Sequence, residues 1–239
     1  MHKLEFYIYK YLTQNLPLSL QPIVKHYIKY PGKHIRAFLV LYGASMGFEK
    51  KDLKELKIKN LANKINLLEL NNNLLLACLA IEIIHLASLI HDDIIDEAPK
   101  RRNKTALHIE FGTKQAVLAG DYLFAKGINL VYKLPPVCKK YIIKAVQDMV
   151  FGEFLEAVDG QKNKKNYFTV IDNKTASLFG CSMVIGYLIV QNALVNNKLS
   201  VKKISSFRIK EINRIYKWAF NFGKLYQIKD DIDDQEFPF

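Results

Sequence analysis

An acidic pattern occurs twice in this chain, each time with aspartates at positions i, i+1 and i+4. The first copy is Asp-Asp-Ile-Ile-Asp at residues 92–96, and the second is Asp-Asp-Ile-Asp-Asp at residues 230–234. Residues four apart lie on one face of an α-helix, so the outer aspartates of each copy can reach a common cation. Like charges at that spacing repel unless a cation lies between them. The two copies therefore predict two metal-binding motifs.

The chemistry of these side chains indicates which metal they bind. Carboxylates are hard oxygen ligands, and neither motif has His or Cys arranged as zinc ligands. Mg²⁺ is favoured, with Mn²⁺ as the alternative. Because Mg²⁺ completes its coordination shell with water and substrate phosphates, two such motifs predict a polyphosphate substrate held by both. For either motif alone, the alternative is a solvated acidic helix end or cap.

Basic residues near residue 33 could bind such a polyphosphate. Gly32 allows close approach to the backbone, Lys33 is a compact charge, and Arg36 can donate two hydrogen bonds to phosphate oxygens. The alternative is a loop of solvated cations before a helix.

Two further basic pairs have a similar ambiguity. Arg101 and Arg102 follow the first acidic motif, and Pro99 is expected to end the helix and turn the chain near the metals. These arginines either bind a diphosphate or neutralise the aspartates. Lys174 and Thr175 are predicted at the start of an apolar helix, where an anion is favoured, and the alternative for Thr175 is an N-cap.

Three more polar residues lie close in sequence to an acidic motif, and their spacing indicates whether they share its helix face. His85 lies two helical turns before Asp92 on nearly the same face, and its alternative is a satisfied core histidine. The spacing of His91 places it on a different face. Gln227, three residues before Asp230, shares the face of the second motif.

The elements that carry these residues are predicted to be helices. Apolar residues recur at spacings of three and four in residues 35–46, 116–131, 141–158, 176–193 and 212–232, whereas sustained alternation is absent. Residues 74–90 are apolar on all sides, which predicts a core helix. No Gly/Ser-rich linker divides the chain. We therefore expect an all-α fold with one domain over residues 1–239.

Composition argues against several other classes. Residues 74–90 contain Glu82 and His85 and run into aspartates, which disfavours a transmembrane span. The N-terminus lacks the pattern of a secretion signal. The three cysteines are odd in number and scattered, which predicts free buried thiols, none of them a nucleophile, in a reducing compartment such as the cytoplasm. The net charge is +12, but no nucleic-acid-binding motif accompanies it, so no nucleic-acid partner is expected.

Taken together, six segments resemble the trans-isoprenyl diphosphate (polyprenyl) synthases in order and spacing. They are residues 32–36, 84–96, 101–102, 119–121, 174–178 and 227–234. The resemblance implies an isoprenoid-synthase-type helical bundle around a large central cavity. It also implies a homodimer, with a heteromer as the alternative. The implied reaction is head-to-tail condensation of an allylic diphosphate with isopentenyl diphosphate.

The resemblance assigns roles by position. Isopentenyl diphosphate would be bound by Lys33, Arg36, His85 and Arg102. The allylic diphosphate would be bound by Arg101, Lys174, Thr175 and Gln227. Mg²⁺ on that diphosphate would be bound by Asp92, Asp96 and Asp230, supported by Asp93, Asp231 and Asp234. Catalysis would depend chiefly on Lys174 and on Asp92, Asp93, Asp96, Asp230 and Asp231.

The residues just before the first motif are expected to set product length. In the family this segment lines the channel for the growing tail, and here Ala87 and Ser88 are both small. An aromatic ring there would fill the channel, because protein interiors are close-packed and no space for further isoprene units would remain beside the ring. We therefore predict long polyprenyl products.

Some features depart from the family pattern. Ala37 replaces a usual Pro, Asn103 a usual Gly and Tyr226 a usual Phe. The sequence given stops soon after the second acidic motif, where family members continue through more helices, so a truncated or degenerate non-catalytic subunit is the alternative function. Class I terpene cyclases are disfavoured by the second aspartate motif and by Lys33 and Arg36.

Overall fold

The computed structural model describes residues 2–28, 32–48, 67–101, 104–159, 164–196 and 206–234. Within these ranges the chain is almost entirely helical, with one short two-stranded hairpin, which confirms the all-α prediction. The elements are α1 His2–Asn15, α2 Gln21–Ile28, α3 Ile35–Met46, α4 Leu67–Ile95, β1 Lys100–Arg101, β2 Lys104–Thr105, α5 Leu107–Phe111, α6 Thr113–Tyr132, α7 Pro136–Asp159, α8 Lys164–Ile171, a π-helical turn Asp172–Ala176, α9 Ser177–Asn196 and α10 Ser206–Asp233.

The chain divides into two compact units. Unit 1 contains Met1–Ile35 and Leu79–Leu130, and unit 2 contains Arg36–Cys78 and Val131–Phe239. Helix α4 contributes its C-terminal part to unit 1 and its N-terminal part to unit 2. A single domain over residues 1–239 stays a prediction.

In unit 1, helix α2 packs against α1 and α5. Its His26 ring lies edge-on to Phe111, and His26 Nε2 is 2.9 Å from the Thr105 carbonyl oxygen of the hairpin. Leu12, Leu107 and other fully buried apolar side chains form the core of this unit. These contacts tie the N-terminal helices to the segment that follows the first acidic motif.

The chain turns sharply after α4. Glu97 adopts a left-handed conformation with φ 50°, and the Ala98 N–H donates to the Asp93 carbonyl oxygen at 3.0 Å. The hairpin then pairs Lys100 with Thr105 and Arg101 with Lys104. The helix ends before Pro99, as the sequence predicts, and the turn brings Arg101 back toward the end of α4.

In unit 2, helix α9 is the central element. It packs against α7 and α10, and 16 of its 20 residues are buried. A helix enclosed on all sides needs no polar face, which explains the apolar character of residues 176–193.

Glycines allow α3 and α9 to approach closely. A Cβ atom on Gly186 would lie 1.8 Å from the Val40 carbonyl oxygen, and one on Gly43 would lie 1.9 Å from the Met183 carbonyl oxygen. Both distances are far below van der Waals contact. The two glycines therefore fix the backbone separation of these helices.

Two helical segments of the described chain are long and apolar enough to cross a membrane, by length and composition alone. They are Leu70–Ile95 and Lys165–Asn196, and 83% of the most apolar window in the second is buried inside the protein. Burial of that degree is typical of a core helix. The corresponding window of the first segment is 50% buried.

We predict that Gly186→Ala strongly destabilises unit 2. The added methyl group meets backbone atoms that cannot rotate away, so we expect the free energy of unfolding to fall by about 2–4 kcal/mol. Urea denaturation followed by circular dichroism measures this. Val195→Ala, an exposed position on the same helix, is the control and should be nearly neutral. Equal stability of the two variants would contradict the close helix crossing.

Candidate active site

The first acidic motif lies at the C-terminal end of α4 in unit 1. Asp93 is fully buried, Asp92 is partly exposed and Asp96 is exposed. From the hairpin, Arg101 Nε donates to Asp93 Oδ1 at 2.6 Å, and Arg101 Nη2 donates to Asp92 Oδ2 at 2.8 Å. The sequence left two roles open for Arg101, and this geometry supports neutralisation of the aspartates. A role in binding diphosphate stays a prediction.

Three other residues of the predicted site fall in the sequence range of unit 1. His85 is half-buried, and its carbonyl oxygen accepts a hydrogen bond from Ser88 Oγ at 2.8 Å. Lys33 is exposed. Arg102 lies outside the described residues, so its predicted role has no structural counterpart.

His91 faces α6, away from the acidic motif. Its Nε2 lies 3.4 Å from Asp121 Oδ1, and its ring centroid is 5.6 Å from that of Phe124. A Cβ on Gly120 would lie 2.3 Å from His91 Nε2, so the glycine makes room for the ring. This agrees with the expectation that His91 lies on a different face.

The second acidic motif lies near the C-terminal end of α10 in unit 2. Asp231 is buried, Asp230 is half-buried and Asp234 is exposed. Tyr167 from α8 donates its hydroxyl proton to Asp231 Oδ2 at 2.5 Å, and Gln227 Nε2 donates to Asp231 Oδ1 at 2.7 Å. The inner aspartate of this motif is therefore hydrogen-bonded through both carboxylate oxygens.

The predicted helix start at Lys174 and Thr175 is wrong. The chain is already helical from Lys164–Ile171, passes through the π-helical turn and continues into α9. The preceding segment is helical because Tyr167, Val170 and Ile171 pack a buried apolar face at helical spacing. A continuous helix has no exposed N–H groups at this point, so the anion preference of a helix N-terminus does not apply.

The same geometry decides the alternative for Thr175. Its side chain is buried, and its hydroxyl donates to Gln227 Oε1 at 2.8 Å. Thr175 is therefore not an N-cap. It joins the hydrogen-bonded chain that leads through Gln227 to Asp231.

Lys174 is held by two carboxylates of α7. Its Nζ lies 2.9 Å from Glu153 Oε2 and forms a second ion pair with Glu156. Gly152 permits this approach, because a Cβ there would lie 2.2 Å from the Lys174 backbone nitrogen. Lys174 thus has internal negative partners before any diphosphate arrives.

Arg36, which is predicted to bind isopentenyl diphosphate, packs against an aromatic ring. Its guanidinium carbon lies 4.6 Å from the centroid of the Phe179 ring. This stacking orients the planar group, and Arg retains in-plane donors when it stacks on an aromatic ring. Binding of isopentenyl diphosphate by Arg36 stays a prediction.

The donor set fits Mg²⁺ bound together with substrate oxygens. Among the described residues, no three His, Cys, Asp or Glu side chains come together as a ready metal site. The outer aspartates of each motif offer carboxylate oxygens only, and Mg²⁺ commonly takes one or two protein carboxylates plus water and phosphate. Asp93 and Asp231 have different surroundings, because each is buried and hydrogen-bonded to protein groups.

Three residues of these sites escaped prediction from sequence. Glu153 and Glu156 had a weak signal, since two acidic residues three apart interrupt the apolar pattern of residues 141–158. Tyr167 had none, because its partner Asp231 is 64 residues away.

The cysteines play no part in these sites. Cys78, Cys138 and Cys181 are free and buried, as predicted. Burial raises the pKa of the Cys138 thiol to about 12, so the thiolate needed for nucleophilic attack is scarce at neutral pH.

Comparison with known proteins identifies the family of this chain. The family described as Polyprenyl synthetase matches residues 18–236. A nonaprenyl diphosphate synthase of Mycobacterium tuberculosis is 32% identical over 157 residues, which cover 64% of this chain and 42% of the relative. A geranylfarnesyl diphosphate synthase of Methanosarcina mazei is 34% identical over 170 residues, which cover 70% of this chain and 51% of the relative. This chain thus spans about half the length of these relatives.

A solved structure supports the fold. The polyprenyl synthase of Caulobacter crescentus, crystallised with calcium and isoprenyl diphosphate, superposes with a TM-score of 0.75 at 22% identity. The match covers 97% of this chain and 61% of that protein. At this identity the similarity establishes the shared helical fold.

We predict that Arg101→Gln destabilises unit 1. Removing the guanidinium leaves the buried Asp93 carboxylate without its charged donor, so we expect the free energy of unfolding to fall by about 2–3 kcal/mol. Urea denaturation measures the change. Arg214→Gln is the matched control, because Arg214 pairs with Glu211 on an exposed helix face and should contribute less than about 0.5 kcal/mol. Similar losses of stability in both variants would show that the buried Asp93 carboxylate does not depend on Arg101 more than an exposed ion pair depends on its arginine.

Proposed function

This chain belongs to the polyprenyl synthetase family, and on that premise we propose that it is a Mg²⁺-dependent trans-prenyltransferase. It condenses an allylic diphosphate with isopentenyl diphosphate, head to tail. The observation that carries this proposal is the repeated arrangement of the acidic motifs. In each motif the inner aspartate, Asp93 or Asp231, is buried and hydrogen-bonded, while Asp96 or Asp234 is exposed.

The reaction separates charge, and the basic residues act on the anion that forms. Bound Mg²⁺ would neutralise the leaving diphosphate and polarise its C–O bond. Lys174, oriented by Glu153 and Glu156, adds positive charge on the allylic diphosphate. The bond breaks with its electron pair on the diphosphate oxygen, the alkene of isopentenyl diphosphate attacks the allylic carbon, and the departing proton passes to the released diphosphate.

For the product we propose a long polyprenyl chain. Ala87 is fully buried and Ser88 is half-buried. Both side chains are small, so no large ring occupies these positions before the first acidic motif. The names of the two relatives support this proposal, since they specify nonaprenyl and geranylfarnesyl products.

A second candidate is a truncated or degenerate non-catalytic subunit that acts with a partner prenyl synthase, and an exposed aromatic surface is compatible with such a partner. In unit 2 the Phe38 and Tyr42 rings lie 6.1 Å apart, Tyr42 and Trp218 lie 6.1 Å apart, and Trp218 and Phe222 lie 5.8 Å apart. All four side chains are exposed. Contiguous exposed apolar surfaces of this kind commonly mark contacts with other chain segments or partners.

One assay separates these candidates. We expect a full-length or complemented form of this protein to transfer radiolabelled isopentenyl diphosphate to an allylic primer, and EDTA to abolish the transfer. Asp92→Asn should lower kcat by at least about 100-fold while preserving the circular dichroism spectrum, because it removes a carboxylate ligand and keeps the side-chain shape.

The same assay reports product length by thin-layer chromatography of the dephosphorylated products. A product that ends at C15 would refute the long-chain proposal. Wild-type incorporation no higher than that of Asp92→Asn would favour the non-catalytic subunit.

We also propose that the chain forms a homodimer through α7. This helix exposes an apolar stripe at helical spacing, formed by Ile143, Val150, Phe151, Phe154 and Val158. An isologous contact between two copies would bury the stripe on both.

Phe154→Glu should therefore shift the chain from dimer to monomer. Two buried carboxylates would face an apolar partner surface, so we expect the dimer dissociation constant to rise by at least about 100-fold. Light scattering after size-exclusion chromatography measures the mass. Leu18→Glu is the control, because Leu18 is 83% exposed in the turn after α1 and lies outside the stripe. A dimer that survives Phe154→Glu would rule out this stripe as the interface.

A further inference from the structure

Tyr167 contributes one hydroxyl to the surroundings of the second acidic motif. The side chain lies on α8 and is fully buried, with its ring centroid 5.3 Å from that of Phe168. Its hydroxyl donates to Asp231 Oδ2 at 2.5 Å. A carboxylate can only accept hydrogen bonds, so the Tyr167 hydroxyl is the donor in this pair.

The other carboxylate oxygen of Asp231 also accepts a hydrogen bond. Gln227 donates to Asp231 Oδ1 from one turn earlier on the same helix. The orientation of its amide is set by Thr175, whose hydroxyl donates to the amide oxygen. Asp231 is thus fixed from two sides, by a helix turn of α10 and by residues of the α8–π segment.

This attachment matters because the motif lies where α10 ends. The helix terminates at Asp233, and the Asp234 N–H still donates to the Asp230 carbonyl oxygen at 2.9 Å. Terminal turns fray readily. Each residue advances the helix by 100°, so fixing Asp231 also fixes the rotation of Asp230 and Asp234 about the axis.

We propose that Tyr167 is a positioning residue for the second acidic motif. Its hydroxyl holds Asp231 so that Asp230 and Asp234 present their carboxylates to the divalent cation. The inference rests on the proposed function, because that function supplies the cation. It also differs from the sequence-based expectation that Asp231 itself binds metal.

The experiment measures metal binding directly, without turnover. Mn²⁺ is titrated into the full chain in the presence of inorganic pyrophosphate, and free Mn²⁺ is followed by electron paramagnetic resonance. We expect two classes of site, one for each motif. Tyr167→Phe keeps the ring and removes the hydroxyl, so it should weaken one class by about tenfold, the loss expected for a hydrogen bond to a charged group, and leave the other unchanged.

Tyr141→Phe is the matched control. Tyr141 is a half-buried tyrosine of α7 in the same unit, and removal of its hydroxyl should leave both classes of Mn²⁺ site unchanged. Tyr167→Phe with wild-type affinity at both classes would overturn the proposal. So would an equal loss in Tyr141→Phe.

A second pair of variants tests the role of Asp231 even if Tyr167→Phe folds poorly. Asp231→Asn can still accept from Tyr167, and its amide can donate to Gln227 after Gln227 reverses and Thr175 becomes the acceptor. We therefore expect Asp231→Asn to lose at least about tenfold less Mn²⁺ affinity than Asp230→Asn. Equal losses would make Asp231 a ligand and overturn the proposal.

The readout also separates this inference from the proposed function. Two classes of Mn²⁺ site, with one class weakened in Tyr167→Phe, would support the positioning role even if the chain transfers no prenyl group. Absence of Mn²⁺ binding in the wild-type chain would overturn both proposals.

Discussion

Burial of a carboxylate at each acidic motif is the constraint on which the local structure depends. A charged group inside a protein is strongly destabilising unless hydrogen bonds and opposite charge replace the lost water. For Asp93 in unit 1 the replacement is Arg101, which reaches back from the hairpin. For Asp231 in unit 2 it is Tyr167 and Gln227. Both neighbouring segments, the hairpin and the α8–π segment, therefore have a direct electrostatic reason for their positions.

The helical fold and the faces of its helices follow from the sequence, because apolar spacing reports which side of a helix is buried. The enclosed position of α9 was readable in this way, as was the end of α4 before Pro99. Apolar spacing does not predict that the aspartates within each motif have different surroundings. Periodicity identifies a buried face but not the element that covers it, and the partners of Asp93 and Asp231 come from other elements.

The π-helical turn shows a second limit of sequence patterns. An apolar run beginning at residue 176 suggested a helix start, whereas the helix had begun at Lys164. A π turn adds a residue to one turn and changes the direction of the side chains that follow. Here Lys174 points toward carboxylates of α7 while its neighbour Thr175 bonds to Gln227 of α10. No periodic pattern with a fixed repeat anticipates that change of phase.

The ion pairs of Lys174 have a consequence for how quickly a bound anion leaves. A diphosphate bound by Lys174, as proposed above, would take the place of Glu153 and Glu156, so its binding would be an exchange of partners and not the capture of an isolated charge. Exchange lowers the net gain in free energy, because the ammonium gives up existing contacts. The same carboxylates are available to take the ammonium back, which shortens the residence time of a spent anion. In the proposed long-chain synthesis the reaction repeats on a growing chain, and weak retention of each released diphosphate would then favour the next round.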